Sequence, residues 1–286
     1  MRGIISRFAP APTGFLHLGH VVNAVRVWEE TRARTGRVLL RIEDHDRQRS
    51  RREFEVAMLE DLAWLGFEAD EPPVRQSERS AIYEDALGRL RAMGLVYACD
   101  CSRSEIIAAT AGAELAPPQW ADQGGPLRDS DEIRYPGTCR HRGLAEGPGR
   151  GLRVRLEPSA ERFVDLRLGL QEQRPSEQCG DLLVRDRDGN WTYQFAATVD
   201  DYVQAVTLVI RGVDLLASTG RQIQLARLLG REEPPAFLHH PLIMKSPSQK
   251  LSKSDGDTGI RELRVRGWTP AQVIGAAMGA LSDPMM

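Results

Sequence analysis

The chain opens with IISRFAP from Ile4, a short apolar run closed by Pro10, which predicts a strand. Beyond a Pro/Thr/Gly turn, Val21, Val25 and Trp28 recur at i, i+4 and i+7, while Arg26, Glu29 and Glu30 take other faces. That spacing predicts a helix ending near Gly36. RVLLRIED, apolar and β-branched up to its acids, predicts a buried strand. Strand, turn, helix and strand make a βαβ unit, whose ligand lies beyond the carboxyl ends of the strands. Two more helices follow: EFEVAMLEDLAWLGFE, with Phe54, Met58, Leu62 and Leu65 on one side, and SAIYEDALGRLRAMGL, with Ile82, Ala86, Leu90 and Met93 in step.

From Cys99 to about Arg150 the helical period fades and Gly, Pro, Asp and Ser accumulate, as in AELAPPQWADQGGPLRDSDE, so this stretch reads as a loop-rich insertion. GLRVRLEP and ERFVDLRLG predict two strands beside it. DLLVRDRDGNWTYQFA predicts a hairpin, with an apolar strand, an Asp-Gly turn and an aromatic strand. AVTLVIRG predicts another buried strand. STGRQIQLARLLG predicts a helix capped by Ser218 or Thr219 and ended by Gly230. The last third holds KSPSQKLSKSDGD and a helical tail rich in Ala, Gly and Met, and no internal repeat is present.

Composition adds exclusions. The 286 residues are 41% apolar and 27% charged, with no apolar run long enough to span a bilayer and no signal-peptide pattern, so a cytoplasmic protein without membrane contact is expected. The formal net charge of −2 means that a nucleic acid would be met by local basic patches. Arg140, Arg142, Arg150, Arg153 and Arg155 are one candidate, and Arg261, Arg264 and Arg266 another. The absence of heptads makes a monomer the expectation.

Two motifs carry the chemistry. His17-Leu18-Gly19-His20 stands where a helix begins, and a helix start attracts anions through its unpaired N–H groups and dipole. Alone, such histidines also serve as caps. Lys250-Leu251-Ser252-Lys253-Ser254 lies far downstream in a Ser/Gly/Lys loop that would otherwise read as a solvated turn. Together, in this order, the pair resembles the His-Ile-Gly-His and Lys-Met-Ser-Lys-Ser signatures of class I aminoacyl-tRNA synthetases, each with one apolar exchange. The resemblance implies attack of an amino-acid carboxylate on the α-phosphate of ATP, with Mg²⁺ accompanying the nucleotide. Donors aimed at the phosphoryl oxygens lower that barrier, a role that fits His17, His20 and Lys253 as catalytic residues, with Gly19 and Lys250 also at the ATP.

Arg7, Glu43, Tyr193 and Arg211 each stand at or near the end of a predicted strand. Two guanidiniums, a carboxylate and a phenol complement the two carboxylates and one ammonium of free glutamate, although each alone is equally a salt bridge or a core aromatic. RFAPAPTGFLHLGH, LLRIEDHD, RQSERSAIYEDAL, VIRGVDLLASTGRQ and KLSKSD, in that order, resemble the glutamyl-tRNA synthetase superfamily over roughly residues 4 to 260. The resemblance implies that L-glutamate is held by Arg7, Phe8, Ala9, Pro10, Ala11, Glu43, Tyr193 and Arg211. His45 departs from the apolar residue or Thr usual there, adding a titratable group near the site.

Cys99 and Cys101 in CDC, with Cys139 in YPGTCRH, suggest one structural zinc holding an insertion with little core of its own. Zinc needs a fourth donor: chemistry alone favours Cys179 or His141, whereas the resemblance implies Tyr135, through the Cys-x-Cys and Tyr-x3-Cys pattern of the short relatives.

After Ser254 only 286 − 254 = 32 residues remain, leaving no room for an anticodon-binding domain. The chain therefore resembles the truncated paralogues of glutamyl-tRNA synthetase. That resemblance implies activation of glutamate without tRNA and its transfer to queuosine in the anticodon of tRNA(Asp). Charging of a tRNA 3′ end and an inactive glutamate- or nucleotide-binding regulator are the alternatives. The expected fold is α/β: a class I synthetase Rossmann-like parallel sheet with a zinc-binding insertion and a short helical C-terminal region. Residues 1–98 and 181–240 form the two halves of the catalytic domain, 99–180 the zinc-binding, acceptor-end-like insertion, and 241–286 the KLSKS loop and helical segment.

Overall fold

In the computed structural model, β1 (Ile5–Phe8), α1 (Leu18–Arg32) and β2 (Arg37–Ile42) form the predicted βαβ unit, with β1 and β2 parallel and Arg7 opposite Leu39. Residues 3–110, 133–246, 249–250 and 259–282 are described; the quoted run AELAPPQWADQGGPLRDSDE lies wholly outside them. Next come α2 (Arg52–Leu65), β3 (Val74–Arg75), α3 (Ser80–Ala92), β4 (Val96–Cys99) and α4 (Arg103–Thr110). The middle of the chain supplies β5 (Gly151–Val154), β6 (Glu161–Asp165), β7 (Gly169–Gln173), α5 (Pro175–Gln178), β8 (Leu182–Arg185) and α6 (Tyr193–Val203). The remainder supplies β9 (Leu208–Gly212), α7 (Thr219–Leu228), β10 (Ala236–His240), β11 (Met244–Ser246), β12 (Gln249–Lys250), α8 (Ile260–Val265) and α9 (Pro270–Ser282).

Two ladders meet to make the central sheet. One runs β3-β2-β1, the other β9-β10-β6-β7, and they abut at β1 and β9, where the Thr207 amide donates to the Ile5 carbonyl at 2.8 Å. Strand β2 lies on one side of β1 and β9 on the other, so the order reverses there. A ligand crevice opens at such a reversal, outside the carboxyl ends of the strands. Those ends carry Phe8 to Ala11, Glu43, Arg211 and His239.

The predicted apolar stripe of α1 is buried against this sheet. Val21, Val25 and Trp28 pack with Val38, Leu40 and Ile42 of β2, with Met58, Leu62 and Leu65 of α2, and with Val273 and Ala277 of α9. Each large buried side chain contributes about 1.5–3 kcal/mol. A second, antiparallel sheet runs β4-β5-β8, so β8, from the start of the 181–240 stretch, pairs with β5 of the 99–180 stretch. No helix among the described residues is long and apolar enough to cross a membrane.

Three local expectations are corrected. In α3 the buried stripe is Tyr83, Ala86, Leu87 and Leu90; Ile82 is half-buried and Met93 is exposed. The Tyr83 hydroxyl donates to the Asp200 carboxylate at 2.8 Å, and this bond sets the rotation of the helix. The hairpin after Leu182 has only one strand. Asp186 caps a tight turn by accepting from the amides of Asp188 and Asn190, one bridge joins Arg185 to Trp191, and the aromatic residues then open α6. Phe195 stacks on Trp191 at 5.3 Å and meets Tyr83 edge-on, an arrangement within the core that helix geometry satisfies. Neither Ser218 nor Thr219 caps α7 with its side chain, because a 3-10 turn over Val213–Ser218 runs straight into the helix. The amide of Gly220 is met by the Gln173 side chain at 2.7 Å, and a Cβ on Gly220 would lie 2.7 Å from the Cβ of Gln173.

Candidate active site

His17 and His20 build a reciprocal cap at the start of α1. The His17 Nδ1 accepts from the Gly19 amide, and the His20 Nδ1 accepts from the His17 amide, both at 3.1 Å. An imidazole nitrogen that accepts carries no proton, so each neutral ring holds its hydrogen on Nε2. The cap therefore fixes both histidines as Nε2–H donors at the positive end of a helix, the form that suits phosphoryl oxygens. Gly19 is required by close approach: a Cβ there would meet the His17 ring at 2.9 Å. Capping and phosphate binding are thus compatible uses of the same two rings. The flank of the lysine loop returns to this point, with Gly259 bridging His17 and the Ile260 amide donating to the Leu16 carbonyl at 2.8 Å. Lys250 ends β12, while Lys253 lies outside the described residues.

Beside it, the loop after β1 is tied to the end of β2 by the Glu43 amide, which donates to the Pro10 carbonyl at 3.0 Å. Arg7 projects from β1 and is buried; its Nε donates to Asp201 at 3.0 Å. Phe8, pointing to the other face, packs its ring edge-on against Trp28, which leaves only its backbone for a ligand. Pro10 is buried, and Ala9 and Ala11 are half-buried. Glu43 is held at 3.2 Å by Arg41, whose Nη1 also reaches Asp201 at 2.7 Å. Burial raises the Glu43 carboxyl above its ordinary range, against the pull of Arg41, His45 and Arg7. Burial acts likewise on Asp201, but Arg7 and Arg41 outweigh it and hold that carboxyl at about 2. Tyr193, at the first turn of α6, is pushed up by burial and then by the charge of Glu43.

Arg211 is held differently. It is buried on β9, and its contacts are neutral acceptors: Nε to His239 Nε2 at 3.0 Å, Nη1 to Gln222 at 2.6 Å and Nη2 to Thr219 at 2.8 Å. A guanidinium has five N–H groups, so one on each terminal nitrogen remains beyond these three bonds. Its charge is not matched by a touching carboxylate, and burial lowers its affinity for the proton. Arg7 is already neutralised by Asp201, whereas Arg211 presents a buried cation that an incoming carboxylate would complete.

His239 accepts from Arg211 on Nε2, so its proton sits on Nδ1, which donates to Asp165 at 2.6 Å. Burial drops the imidazole from 6.5 to about 4 despite that carboxylate. Between those values the unfolded chain binds the proton and the folded protein does not, so this group makes stability fall as pH falls. The full contribution is roughly 3 kcal/mol. Urea unfolding at pH 7 and pH 4.5 is expected to show a larger loss in the wild type than in His239→Gln; equal losses would refute the assignment.

The thiols of Cys99, Cys101 and Cys139 come together with all donor atoms within 4.8 Å, a set that can hold a metal ion. The Tyr135 hydroxyl lies 3.4 Å from the Cys99 sulfur and accepts from the Cys139 amide at 2.8 Å. Cys179 is turned away, toward the carbonyls of Pro175 and Gly180, and His141 is exposed.

Arg41, Asp200, Asp201, Gln222, His239 and Asp165 were not singled out by sequence reasoning, and Thr219 was read only as a helix cap. A signal did exist: Arg41 interrupts an apolar strand, and Asp200-Asp201 interrupts an apolar helix. Both are places where a charge is rarely left unpaired.

This arrangement defines a class. The chain belongs to the class I tRNA synthetases (E and Q), whose catalytic-domain family matches residues 3–276. Among individual proteins, it is 39% identical over 282 residues to a glutamyl-Q tRNA(Asp) synthetase of Rhodobacter capsulatus, covering 94% of this chain and 98% of that protein. It is 44% identical over 257 residues to the glutamyl-Q tRNA(Asp) synthetase of Burkholderia mallei, covering 87% and 80%. The crystal structure of a glutamate-tRNA synthetase from Elizabethkingia anophelis superposes with a TM-score of 0.70 at 28% identity. That match covers 89% of this chain and 53% of the larger protein, so the chain spans about half its length.

Proposed function

We propose that the protein activates L-glutamate with ATP, without tRNA, and transfers the glutamyl group to queuosine in the anticodon of tRNA(Asp). The observation that carries the first half is Arg211, a buried cation held only by neutral acceptors, next to the Tyr193 phenol, which in turn feels the charge of Glu43. In this reading Arg211 takes one carboxylate of glutamate, Glu43 the ammonium, and Arg7 and Tyr193 complete the pocket with the backbone of Phe8, Ala9, Pro10 and Ala11. His17 and His20 donate to the phosphates beside Gly19, and Lys250 and Lys253 approach from the loop. Negative charge developing on the α-phosphoryl oxygens, with Mg²⁺ shared by the nucleotide, is stabilised by these donors. The second half is supported by the likeness to glutamyl-Q tRNA(Asp) synthetases, and an unstacked anticodon base is accessible to a protein pocket.

Exchange of pyrophosphate into ATP, run across the standard amino acids without tRNA, is expected only with glutamate. Labelled glutamate is then expected on tRNA(Asp) bearing queuosine, in the anticodon fragment after nuclease digestion. Label on the terminal adenosine, or equal transfer to tRNA with unmodified guanosine, would overturn the second half.

Cys99, Cys101, Tyr135 and Cys139 fit one zinc, three thiols and a phenol at its edge, and such an ion would cross-link the insertion without entering the reaction. Metal analysis is expected to give one zinc per chain. Tyr135→Phe should weaken its retention against a chelator, and Cys179→Ser should leave it unchanged; metal loss in Cys179→Ser would refute this ligand set.

A further inference from the structure

His45 follows Glu43 by two residues and takes no part in the hydrogen bonds assigned above. It is half-buried, and its ring centre lies 6.5 Å from that of Tyr193. Its loop is pinned against residues 76 and 77 at two consecutive positions. Asp44 accepts from the Ser77 amide at 2.8 Å and from the Ser77 hydroxyl at 2.6 Å, and the His45 Nδ1 lies 2.6 Å from the Gln76 Oε1. Gln76 is itself buried, with its Nε2 donating at 2.8 Å to Asp200, a fully buried carboxylate that also receives Arg79 and Tyr83.

This chain of contacts fixes a proton. An ionised carboxylate only accepts, so the amide nitrogen of Gln76 must face Asp200 and its oxygen must face His45. That oxygen requires a donor, so the neutral imidazole carries its hydrogen on Nδ1 and keeps a lone pair on Nε2. The histidine is therefore the reverse of His17 and His20, which are fixed as Nε2–H donors. An oriented ring with a basic Nε2 is the arrangement of a general base, the far nitrogen being held by a relay that ends on a buried acid.

We infer that His45 is the general base of the transfer step, an inference that rests on the proposed function. The hydroxyl oxygen of the queuosine diol attacks the carbonyl carbon of the glutamyl-adenylate. The new ester C–O bond forms as the carbonyl–phosphate bond breaks, AMP departs with the electron pair, and the hydroxyl proton passes to Nε2 of His45 and then to solvent. Activation of glutamate, in which a carboxylate attacks, needs no such base, so the residue divides the two half-reactions.

The test is His45→Asn, whose side-chain amide can still donate to Gln76 and offers no basic nitrogen. Single-turnover transfer from preformed glutamyl-adenylate to queuosine-bearing tRNA(Asp) is expected to fall about a hundredfold. Glutamate-dependent pyrophosphate exchange is expected to fall at least tenfold less than transfer does, which also reports on folding. Added imidazole should restore part of the transfer rate. Equal losses in the two half-reactions, or no loss in either, would overturn the inference. Wild-type enzyme that exchanges pyrophosphate but cannot load queuosine-bearing tRNA would instead overturn the proposed acceptor, and the inference with it.

Discussion

Arg211→Ala is expected to raise the KM for glutamate in pyrophosphate exchange by roughly a hundredfold or more. The guanidinium is anchored by His239, Gln222 and Thr219, all uncharged as acceptors, so nothing in contact with it neutralises it before substrate arrives. A carboxylate bound to such a fork forms charge-assisted hydrogen bonds inside a buried site, worth about 2–4 kcal/mol. Truncation removes those bonds and also leaves the acceptors that held the guanidinium unpaired. Arg211→Lys should fail nearly as badly, since an ammonium cannot keep three anchors and present two donors to one carboxylate. Retained glutamate KM in Arg211→Ala, or exchange supported equally by glutamine or aspartate, would refute the assignment of this residue.

Asp201→Ala is expected to cost about 3–5 kcal/mol of stability, because it leaves the buried Arg7 without its carboxylate and takes one of three acids from the buried Arg41. Arg7 is 4% exposed and Arg41 fully buried, and both donate to the same oxygen of Asp201. On a protein of this size such a loss lowers the melting temperature by roughly 10 °C. Asp201→Asn, which keeps an acceptor without the charge, should fall between the two. Acid should erode the same contribution. The carboxyl is depressed from 3.8 to about 2, so its stabilisation is complete above the higher value and is lost as pH falls through the lower one. Thermal unfolding of the wild type and the two variants measures this directly; an unshifted midpoint for Asp201→Ala would show that Arg7 and Arg41 find other partners.

The two variants separate recognition from scaffolding within one cluster. Asp201 is shared by Arg7 and Arg41, Arg41 also holds Glu43, and Asp200 gathers Gln76, Arg79 and Tyr83. Consecutive acids on one turn of α6 thus connect Arg7, Arg41 and Glu43 to His45 on one side and to the core of α3 on the other. Arg211 is attached to a different chain of groups, through His239 to Asp165, which leaves its charge without a touching carboxylate.

Much of this was legible in the sequence. Periodicity is a local property, so Val21, Val25 and Trp28, or the apolar run before Glu43, announced their elements wherever neighbours along the chain settle burial. It failed at WTYQFA, where aromatic residues two apart fit a strand and residues four apart fit a helix; packing of Phe195 on Trp191 and Tyr83 decided for the helix. The paired motifs could be picked out because phosphoryl chemistry calls for particular residue types, and the proposed glutamate set because two carboxylates and an ammonium call for their complements. The sequence by itself therefore determined the sheet-forming units, the motif pair and the kinds of side chain at the site. Which arginines are paired with an acid was decided only in three dimensions: Arg7 finds its acid 194 residues away and Arg41 the same acid 160 residues away. So were the opposite tautomers of His17 and His45, and the choice of Tyr135 over Cys179 beside the thiols. Proton position and charge compensation depend on contacts of a few ångströms between distant segments, and no spacing along the chain encodes them.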